Sequence, residues 1–328
     1  MRRLLDRSPI DGFVLSIFLA VVVAAILPAR GSFADTMDWV VTGLIALLFF
    51  LYGARLHPRE ALDGLTHWRL HLTILSFTFI LFPIVGLLLR PALAPLIGDQ
   101  LAQGFLYLTL VPSTVQSSIA FTSIARGNVA GAIVSASASN LIGVVLTPLL
   151  VVLMMGSDAG VHITGSSVTK IVLEILVPFI IGQLCRPLIA GFMAKYAAPT
   201  KYVDRSSIIV VVYVAFSGGV VSGMWSIVSA WDVVIVTVVS IVFVVAMLAL
   251  TSWVPTRLGW RREDVVAIQF CGTKKSLATG LPLATVMFAS GTVGFIVLPL
   301  MIFHQVQLVL CSMLASRYEK QATAATDD

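Results

Sequence analysis

Charged residues are scarce in this chain of 328 residues: 11% are Asp, Glu, Lys or Arg, whereas 58% are hydrophobic. A soluble domain usually carries about 25% charged residues, so a soluble globular fold is excluded. The apolar stretches are continuous, as in Val233–Leu250, and lack the alternating segments of about 10 residues typical of a membrane β-barrel. With a mean hydropathy of +1.00, the chain is predicted to be an all-α membrane protein that crosses the bilayer repeatedly.

Sequence motifs that would indicate an enzyme are absent as well. The cysteines Cys185, Cys271 and Cys311 lie in apolar runs and form no CxxC pair, which argues against a disulfide framework. There is no Walker loop, nucleophile elbow or HExxH motif, and the basic residues are scattered through short loops. We therefore expect no enzymatic activity, no organic cofactor and no nucleic-acid partner.

Ten apolar runs are long enough to cross a bilayer, which takes roughly 20 residues as a helix. The first is longer than the 7–15 apolar residues of a cleavable signal peptide, so we predict that it is a span. The predicted spans 1 to 10 are Gly12–Leu27, Met37–Leu56, His71–Leu89, Gly104–Ala125, Asn128–Met155, Ile171–Gly191, Ile208–Val228, Val233–Val254, Val265–Ala289 and Val293–Ala315.

The distribution of Lys and Arg supports this count. Sixteen of the 21 basic residues fall in segments on the side that holds the N-terminus, three fall on the opposite side, and Lys274 and Lys275 lie inside span 9. Cytoplasmic loops carry the excess of Lys and Arg, so both termini are predicted to be cytoplasmic. A missing or additional span would reverse the later loops and destroy the asymmetry.

Two halves of five spans each run in opposite directions through the membrane, which is the arrangement of inverted repeats in secondary transporters. The predicted repeats are residues 12–155 and 171–315, followed by a polar cytoplasmic tail at 316–328 that we expect to be frayed. A short similarity between Ala125–Val129 and Ala289–Val293, 164 residues apart, agrees with this division. The spans with polar interruptions are the fourth of each half.

Span 4 is polar where it should be most apolar. Six of the eight residues from Val111 to Ser118 are Pro, Ser, Thr or Gln. Pro112 removes a backbone donor, and the carbonyls that lose a partner can bond to hydroxyls, water or a cation. The alternative is an ordinary kinked helix whose hydroxyls bond to their own backbone.

Span 9 contains the adjacent lysines Lys274 and Lys275 between two apolar runs. A charge at this depth costs several kcal/mol, so such residues usually face a cavity and have a function. We expect an unwound segment around Gly272 that lets both lysines reach one polar cavity. The alternative is that the span ends here and the lysines extend to the membrane surface.

Spans 5 and 10 add further polar groups. Ser135 and Ser139 lie four residues apart on one helical face, near Asn140, although small polar residues also serve as packing surfaces between membrane helices. His304 in span 10 is a candidate proton relay, and a histidine that hydrogen bonds between helices is an equal alternative.

Together these features resemble the bile acid:sodium symporter family, solute carrier family 10, over essentially the whole chain. The segments that carry the resemblance are Pro112–Pro148 and Ala267–Ala278. They are similar to a divergent bacterial branch related to the orphan seventh human member. The resemblance implies a panel domain of spans 1, 2, 6 and 7 and a core domain of spans 3–5 and 8–10. It also implies that broken helices 4 and 9 cross near the bilayer midplane.

The resemblance also indicates where a sodium ion would bind, namely at Ser117, Ser118, Gln269 and Thr273. Gln269 replaces the sodium-binding carboxylate of sodium-coupled members, and Lys274 replaces an amide. A cation site without a carboxylate and close to a lysine is electrostatically unfavourable, so we hypothesise that Lys274 partly replaces sodium or holds an anionic substrate.

These considerations predict a secondary active transporter of a small organic anion in the bacterial inner membrane. The coupling ion would be sodium or a proton. A non-transporting regulator or sensor on the same fold is the alternative, and the sequence does not define the oligomeric state. The candidate binding residues are Ser113, Thr114, Gln116, Ser117, Ser118, Asn128, Ser135, Ser139, Asn140, Gln269, Thr273, Lys274, Lys275, Ser276 and His304.

Overall fold

The computed structural model describes residues 12–55, 67–156, 169 and 172–327, and these contain helices and no strand. The basic residues at positions 2, 3, 7, 59 and 170, which contribute to the charge asymmetry, lie outside this part of the chain. The α-helices are α1 (Gly12–Ile26), α2 (Ser32–Arg55), α3 (Trp68–Ser76), α4 (Phe82–Ile97), α5 (Asp99–Leu110), α6 (Gln116–Ile124), α7 (Val129–Met155), α8 (Val177–Lys195), α9 (Ala197–Val221), α10 (Met224–Ile227), α11 (Ala230–Arg257), α12 (Arg262–Thr273), α13 (Leu277–Met287) and α14 (Ser290–Asp327).

Seven helical segments of the described chain are long and apolar enough to cross a membrane, and α1 is a shorter apolar helix. Large apolar side chains point outwards from them; Leu188, for example, is 86% exposed and Trp39 is 80% exposed. A soluble protein rarely exposes so much apolar surface, which marks contact with lipid. The chain is therefore a multi-pass α-helical membrane protein.

Two helices contain a turn of π-helix next to a proline. One, π1 (Phe77–Leu81), joins α3 to α4, and the other, π2 (Val172–Leu176), precedes α8. Pro83 and Pro178 each occupy the second position of the helix that follows. Proline has no N–H and its ring crowds the preceding turn, so the helix widens there and leaves carbonyls without a donor.

The chain forms two compact units. The first comprises residues 1–56, 155–229 and 281–297. Within it α2 packs against α8 and α1 against α9. Glycines permit the close approach of α2 and α8: a Cβ at Gly53 would lie 2.1 Å from the carbonyl oxygen of Phe179, and one at Gly182 would lie 2.0 Å from that of Phe50.

The second unit comprises residues 57–154, 230–280 and 298–328. Its core contains three phenylalanines around Phe243, whose ring centroid lies 5.0 Å from that of Phe82, 5.6 Å from Phe105 and 5.9 Å from Phe303. Tilted aromatic pairs at these distances stabilise a core beyond the area that they bury. Both polar interruptions predicted from the sequence begin within this unit.

The C-terminal tail differs from the expectation of a frayed end. Helix α14 continues through residues 316–327 without a break. Seven of the twelve residues 316–327 are Ala, Arg, Gln, Glu or Lys, which favour helix. In addition, the hydroxyl of Tyr318 donates a hydrogen bond of 3.0 Å to Oε1 of Gln269, which attaches the start of the tail to α12.

Candidate functional site

The first interruption separates α5 from α6. Helix α5 ends at Leu110, Val111 is extended (φ −78°, ψ 155°), and α6 begins at Gln116. Every carbonyl from residue 109 to residue 113 accepts a hydrogen bond from outside its own helix, so all five carbonyls at the break have a donor. The bonds are Lys275 Nζ to Thr109 O and Val111 O, Thr147 Oγ1 to Leu110 O, Ser276 N to Pro112 O, and Asn140 Nδ2 to Ser113 O.

The second interruption separates α12 from α13 and has nearly the same backbone geometry. Helix α12 ends at Thr273, Lys274 is extended (φ −86°, ψ 151°), and α13 begins at Leu277. The amide side chain of Gln307 replaces the lost helical partners of Lys275: its Oε1 accepts from the Lys275 N–H at 2.8 Å, and its Nε2 donates to the Lys275 carbonyl at 2.8 Å.

The two interruptions are hydrogen bonded to each other. The Ser276 N–H donates to the Pro112 carbonyl at 2.8 Å, and the Ser113 hydroxyl donates to the Cys271 carbonyl at 2.6 Å. The Ser118 hydroxyl adds a bond to the carbonyl of Phe270 at 3.2 Å. Ser113, Ser118 and Ser276 were all predicted site residues, and the structure brings them together.

Asn140 on α7 links both interruptions. Its Nδ2 donates to the Ser113 carbonyl at 2.7 Å, and its Oδ1 accepts from the Thr279 hydroxyl at 2.7 Å. Gly143, one turn later, lies against the proline of the first break: a Cβ there would be 2.7 Å from Pro112 Cβ. This part of α7 therefore supports the site.

Lys275 lies inside a group of backbone carbonyls. Its side chain is 0% exposed, and Nζ donates to the carbonyls of Thr78 at 2.8 Å, Thr109 at 2.8 Å and Val111 at 2.9 Å. Nζ also lies 4.3 Å from the ring centroid of Phe82. All of the hydrogen-bond donors of an ammonium group are thus used.

Lys274 is equally buried but has a different environment. Its side chain is also 0% exposed, and its Nζ has no hydrogen-bond partner among the described residues. The nearest aromatic ring is that of Phe121, whose centroid lies 3.7 Å from Nζ. A cation over an aromatic face gains about 2 kcal/mol when desolvated, and its three hydrogen-bond donors remain available.

The expectation for the lysine pair thus needs correction in two respects. The helix is unwound from Lys274 onwards and not around Gly272, which lies within α12. The two side chains also have separate partners: Lys274 lies over Phe121, whereas Lys275 bonds the carbonyls near Phe82. Both are buried, so they do not reach the membrane surface.

His304 lies beside the second interruption. Gln307 Nε2 lies 2.9 Å from His304 Nδ1 and donates to the Lys275 carbonyl at 2.8 Å. His304 Nδ1 also lies 3.3 Å from the Lys275 carbonyl oxygen, and these two contacts orient the ring. A hydrogen-bonding role is visible, and the role as a proton relay stays a prediction.

The four residues of the expected sodium site have hydrogen-bond partners in different elements. Ser117 and Ser118 both bond to the hydroxyl of Thr114, at 2.7 and 3.0 Å. The other two bond to different helices: Gln269 Nε2 donates to a carbonyl of α11 at 2.9 Å, and the Thr273 hydroxyl pairs with a threonine of α11 at 2.9 Å. No hydrogen bond joins the serine pair to Gln269 or Thr273 in the described chain. None of the four is a carboxylate, and a sodium ion at these residues stays a prediction.

Of the remaining predicted residues, one contacts the first break and three lie elsewhere. Ser139 contacts the first break, because its hydroxyl accepts a hydrogen bond from the Ser113 N–H at 3.1 Å. The hydroxyl of Ser135 instead forms a hydrogen bond of 2.7 Å with His71 Nδ1. Gln116 is exposed at the start of α6. Asn128 caps α7 by accepting from the N–H three residues later, and its Nδ2 donates to a carboxylate of α12 at 2.7 Å.

Several residues of the site were not predicted from the sequence. They are hydroxyl-bearing residues within apolar runs, which are common in membrane helices. Only their position opposite a broken helix distinguishes them, and that position is a tertiary feature. The residues are Thr78, Tyr107, Thr109, Thr147 and Thr279. Two of them, Thr78 and Thr109, contribute their backbone carbonyls to the site.

Lys274 and Lys275 are closed to solvent in this structure, since both are 0% exposed. Two surface grooves of the second unit have volumes of about 860 and 730 Å³, and neither is lined by Lys274 or Lys275. The larger groove lies along α3, π1 and α11, and the smaller one along α11 and α14. A molecule that binds at Lys274 would therefore need a movement of the protein to enter.

Interrupted helices that pair through their breaks inside a multi-pass protein define a class of membrane transporter. Comparison with known proteins agrees with this class. Residues 11–320 match the model of the SBF-like CPA transporter family, and the chain belongs to that family. It is thus a transport protein and not an enzyme.

Curated relatives match over nearly the full length. The chain is 44% identical to "Putative symporter YfeH" of Escherichia coli strain K12, over 95% of this chain and 94% of that protein. It is 30% identical to "Sodium/bile acid cotransporter 7" of Mus musculus, over 95% and 93% respectively. It is also 47% identical to "Uncharacterized protein PA2026" of Pseudomonas aeruginosa, over 95% and 93%.

Proposed function

We propose that this protein is a secondary active transporter of a small organic anion and that the anion binds at Lys274. The observation that carries the proposal is a fully buried ammonium group without a hydrogen-bond acceptor in the described chain. An unpaired buried charge is unfavourable by several kcal/mol, and an anionic ligand would compensate it. The names of the symporter and cotransporter relatives support transport coupled to an ion.

Helix dipoles strengthen the case for an anion. Helices α6 and α13 begin directly after the two interruptions, and the N-terminus of a helix carries a partial positive charge. At the first interruption the opposite, negative end of α5 is already compensated by Lys275. Positive potential from Lys274 and the two helix starts therefore remains available for a carboxylate, sulfate or phosphate group.

We further infer a ten-span inverted-repeat arrangement with panel and core domains. Seven long segments, α1 and the interrupted pairs α5–α6 and α12–α13 together account for ten crossings. Helices α5 and α12 each have 12 residues and end in an extended residue, Val111 or Lys274. In this proposal both termini face the cytoplasm of a bacterial cell, and alternating access opens the site.

A binding screen tests the anion site. The purified protein is heated with small carboxylates, sulfonates, sulfate esters and phosphate esters, and the melting temperature is recorded. We expect at least one anion to stabilise the wild type and to have no effect on Lys274→Met. Lys320→Met, which removes an exposed charge on α14, serves as the control and should keep the response. If no anion stabilises the wild type, or if Lys274→Met responds equally, the proposal is wrong.

A flux measurement with the stabilising anion then separates a transporter from a sensor. Uptake into sealed proteoliposomes under sodium and proton gradients, imposed separately, identifies the coupling ion. Binding without uptake under either gradient would favour the regulator or sensor on the same fold.

A further inference from the structure

The three carbonyls around Lys275 lack partners in their own helices for reasons visible in the sequence. In π1 the carbonyl of Phe77 takes the N–H of Phe82, and the next residue, Pro83, has no N–H to offer to Thr78 O. The carbonyls of Thr109 and Val111 lie at the end of α5, where the helix stops. Such oxygens need a donor or a cation in the membrane interior.

The arrangement indicates a charged Lys275. Three carbonyl oxygens lie within 2.8–2.9 Å of Nζ, and only the ammonium form has three hydrogens to donate. The ring of Phe82 faces the same nitrogen at 4.3 Å, which also favours a positive charge. No carboxylate forms an ion pair with it among the described residues, so the balancing charge comes from carbonyl dipoles alone.

We infer that Thr78 O, Thr109 O and Val111 O form a monovalent-cation site that the chain fills with its own Lys275 ammonium. The protein then needs no exchangeable cation at this position, and the positive charge stays with the protein throughout its cycle. The inference does not depend on which solute binds at Lys274. The tethered cation also joins π1, the end of α5 and the second interruption, so that these three elements move together.

The neighbouring lysine is a matched control. Lys274 and Lys275 are adjacent, equally buried and chemically identical, but only Lys275 has acceptors. Removing Lys275 leaves three carbonyls unsatisfied, whereas removing Lys274 eliminates an unpaired charge. Lys275→Ala should therefore lower the melting temperature of the purified protein by several degrees, and Lys274→Ala should leave it unchanged or raise it.

Chemical rescue tests the cation site itself. Lys275→Ala leaves a space that a small cation can enter, so methylammonium or ammonium chloride should restore at least half of the lost melting temperature. Choline chloride at the same concentration controls for ionic strength and should not, because its quaternary nitrogen has no N–H. In Lys275→Met the side chain fills the space, and methylammonium should not restore its stability. The wild type should be unaffected.

Three outcomes would overturn the inference. The first is that Lys275→Ala is as stable as Lys274→Ala. The second is that choline rescues as well as methylammonium, or that Lys275→Met is rescued equally. The third is that Lys275→Ala cannot be recovered in folded form even when it is expressed and purified with methylammonium. These experiments measure the melting temperature of Lys275 variants without any anion. Their outcome is therefore independent of whether an anion binds at Lys274.

Discussion

The glycine contacts between α2 and α8 allow a prediction whose size follows from the geometry. A Cβ at Gly53 would lie 2.1 Å from the carbonyl oxygen of Phe179, a distance that real Cβ atoms do not reach. To restore even 3.0 Å, the two helix backbones must separate by about 0.9 Å. Over-packing of this kind costs about 1–3 kcal/mol. The separation also removes the weak Cα–H···O contact that the glycine permits.

The matched controls lie on the same two helices. Gly43 on α2 and Gly191 on α8 have no atom within 4 Å of a built Cβ. Alanine at either position should be tolerated, or should stabilise the helix by up to about 1 kcal/mol. Gly53→Ala and Gly182→Ala should each lower the melting temperature in detergent by about 2–12 °C. Because both require the same separation, the double variant should lose less than the sum.

If Gly53→Ala and Gly43→Ala melt at the same temperature, the close approach of α2 and α8 at Gly53 is wrong. Equal losses for all four single variants would also refute it, because the cost would then arise from the helices themselves and not from their crossing.

Two further predictions concern single contacts. The added Cβ of Gly143→Ala would clash with the ring of Pro112, so this variant should lose about 1–3 kcal/mol of stability and melt at a lower temperature. An unchanged melting temperature would show that the first interruption can shift without cost. Arg55 of α2 pairs with the largely buried carboxylate of Asp204 on α9, and Arg55→Met should lower stability by about 1–3 kcal/mol because it leaves that charge unpaired. Adding Asp204→Asn should recover part of the loss in a denaturation experiment, and a further loss would contradict the pairing.

The positions of the two helix breaks can be predicted from the sequence, because their physical cause is local. Pro112 has no N–H, and two lysines within an apolar run are incompatible with an ordinary lipid-facing helix. Both breaks occur in the structure within a few residues of the predicted positions. The multi-pass helical class followed in the same way from composition alone.

The partners of the broken ends could not be derived from the sequence. Lys274 and Lys275 are neighbours of identical type, and only tertiary packing decides which one meets the carbonyls and which one stays free. Thr147 and Thr279 likewise gain their roles from the position of the breaks. Gln307 pairs with a backbone amide 32 residues away along the chain, a distance that no local pattern encodes.

Anion counterflow in proteoliposomes is the sharpest test of an anion site at Lys274. Vesicles are loaded with an excess of the anion found in the stabilisation screen, and entry of a trace of the labelled anion is measured without any ion gradient. We expect rapid accumulation with wild-type protein and none above empty vesicles with Lys274→Met, although that variant remains folded. Accumulation by Lys274→Met at the wild-type rate would contradict the assignment of the anion site to Lys274.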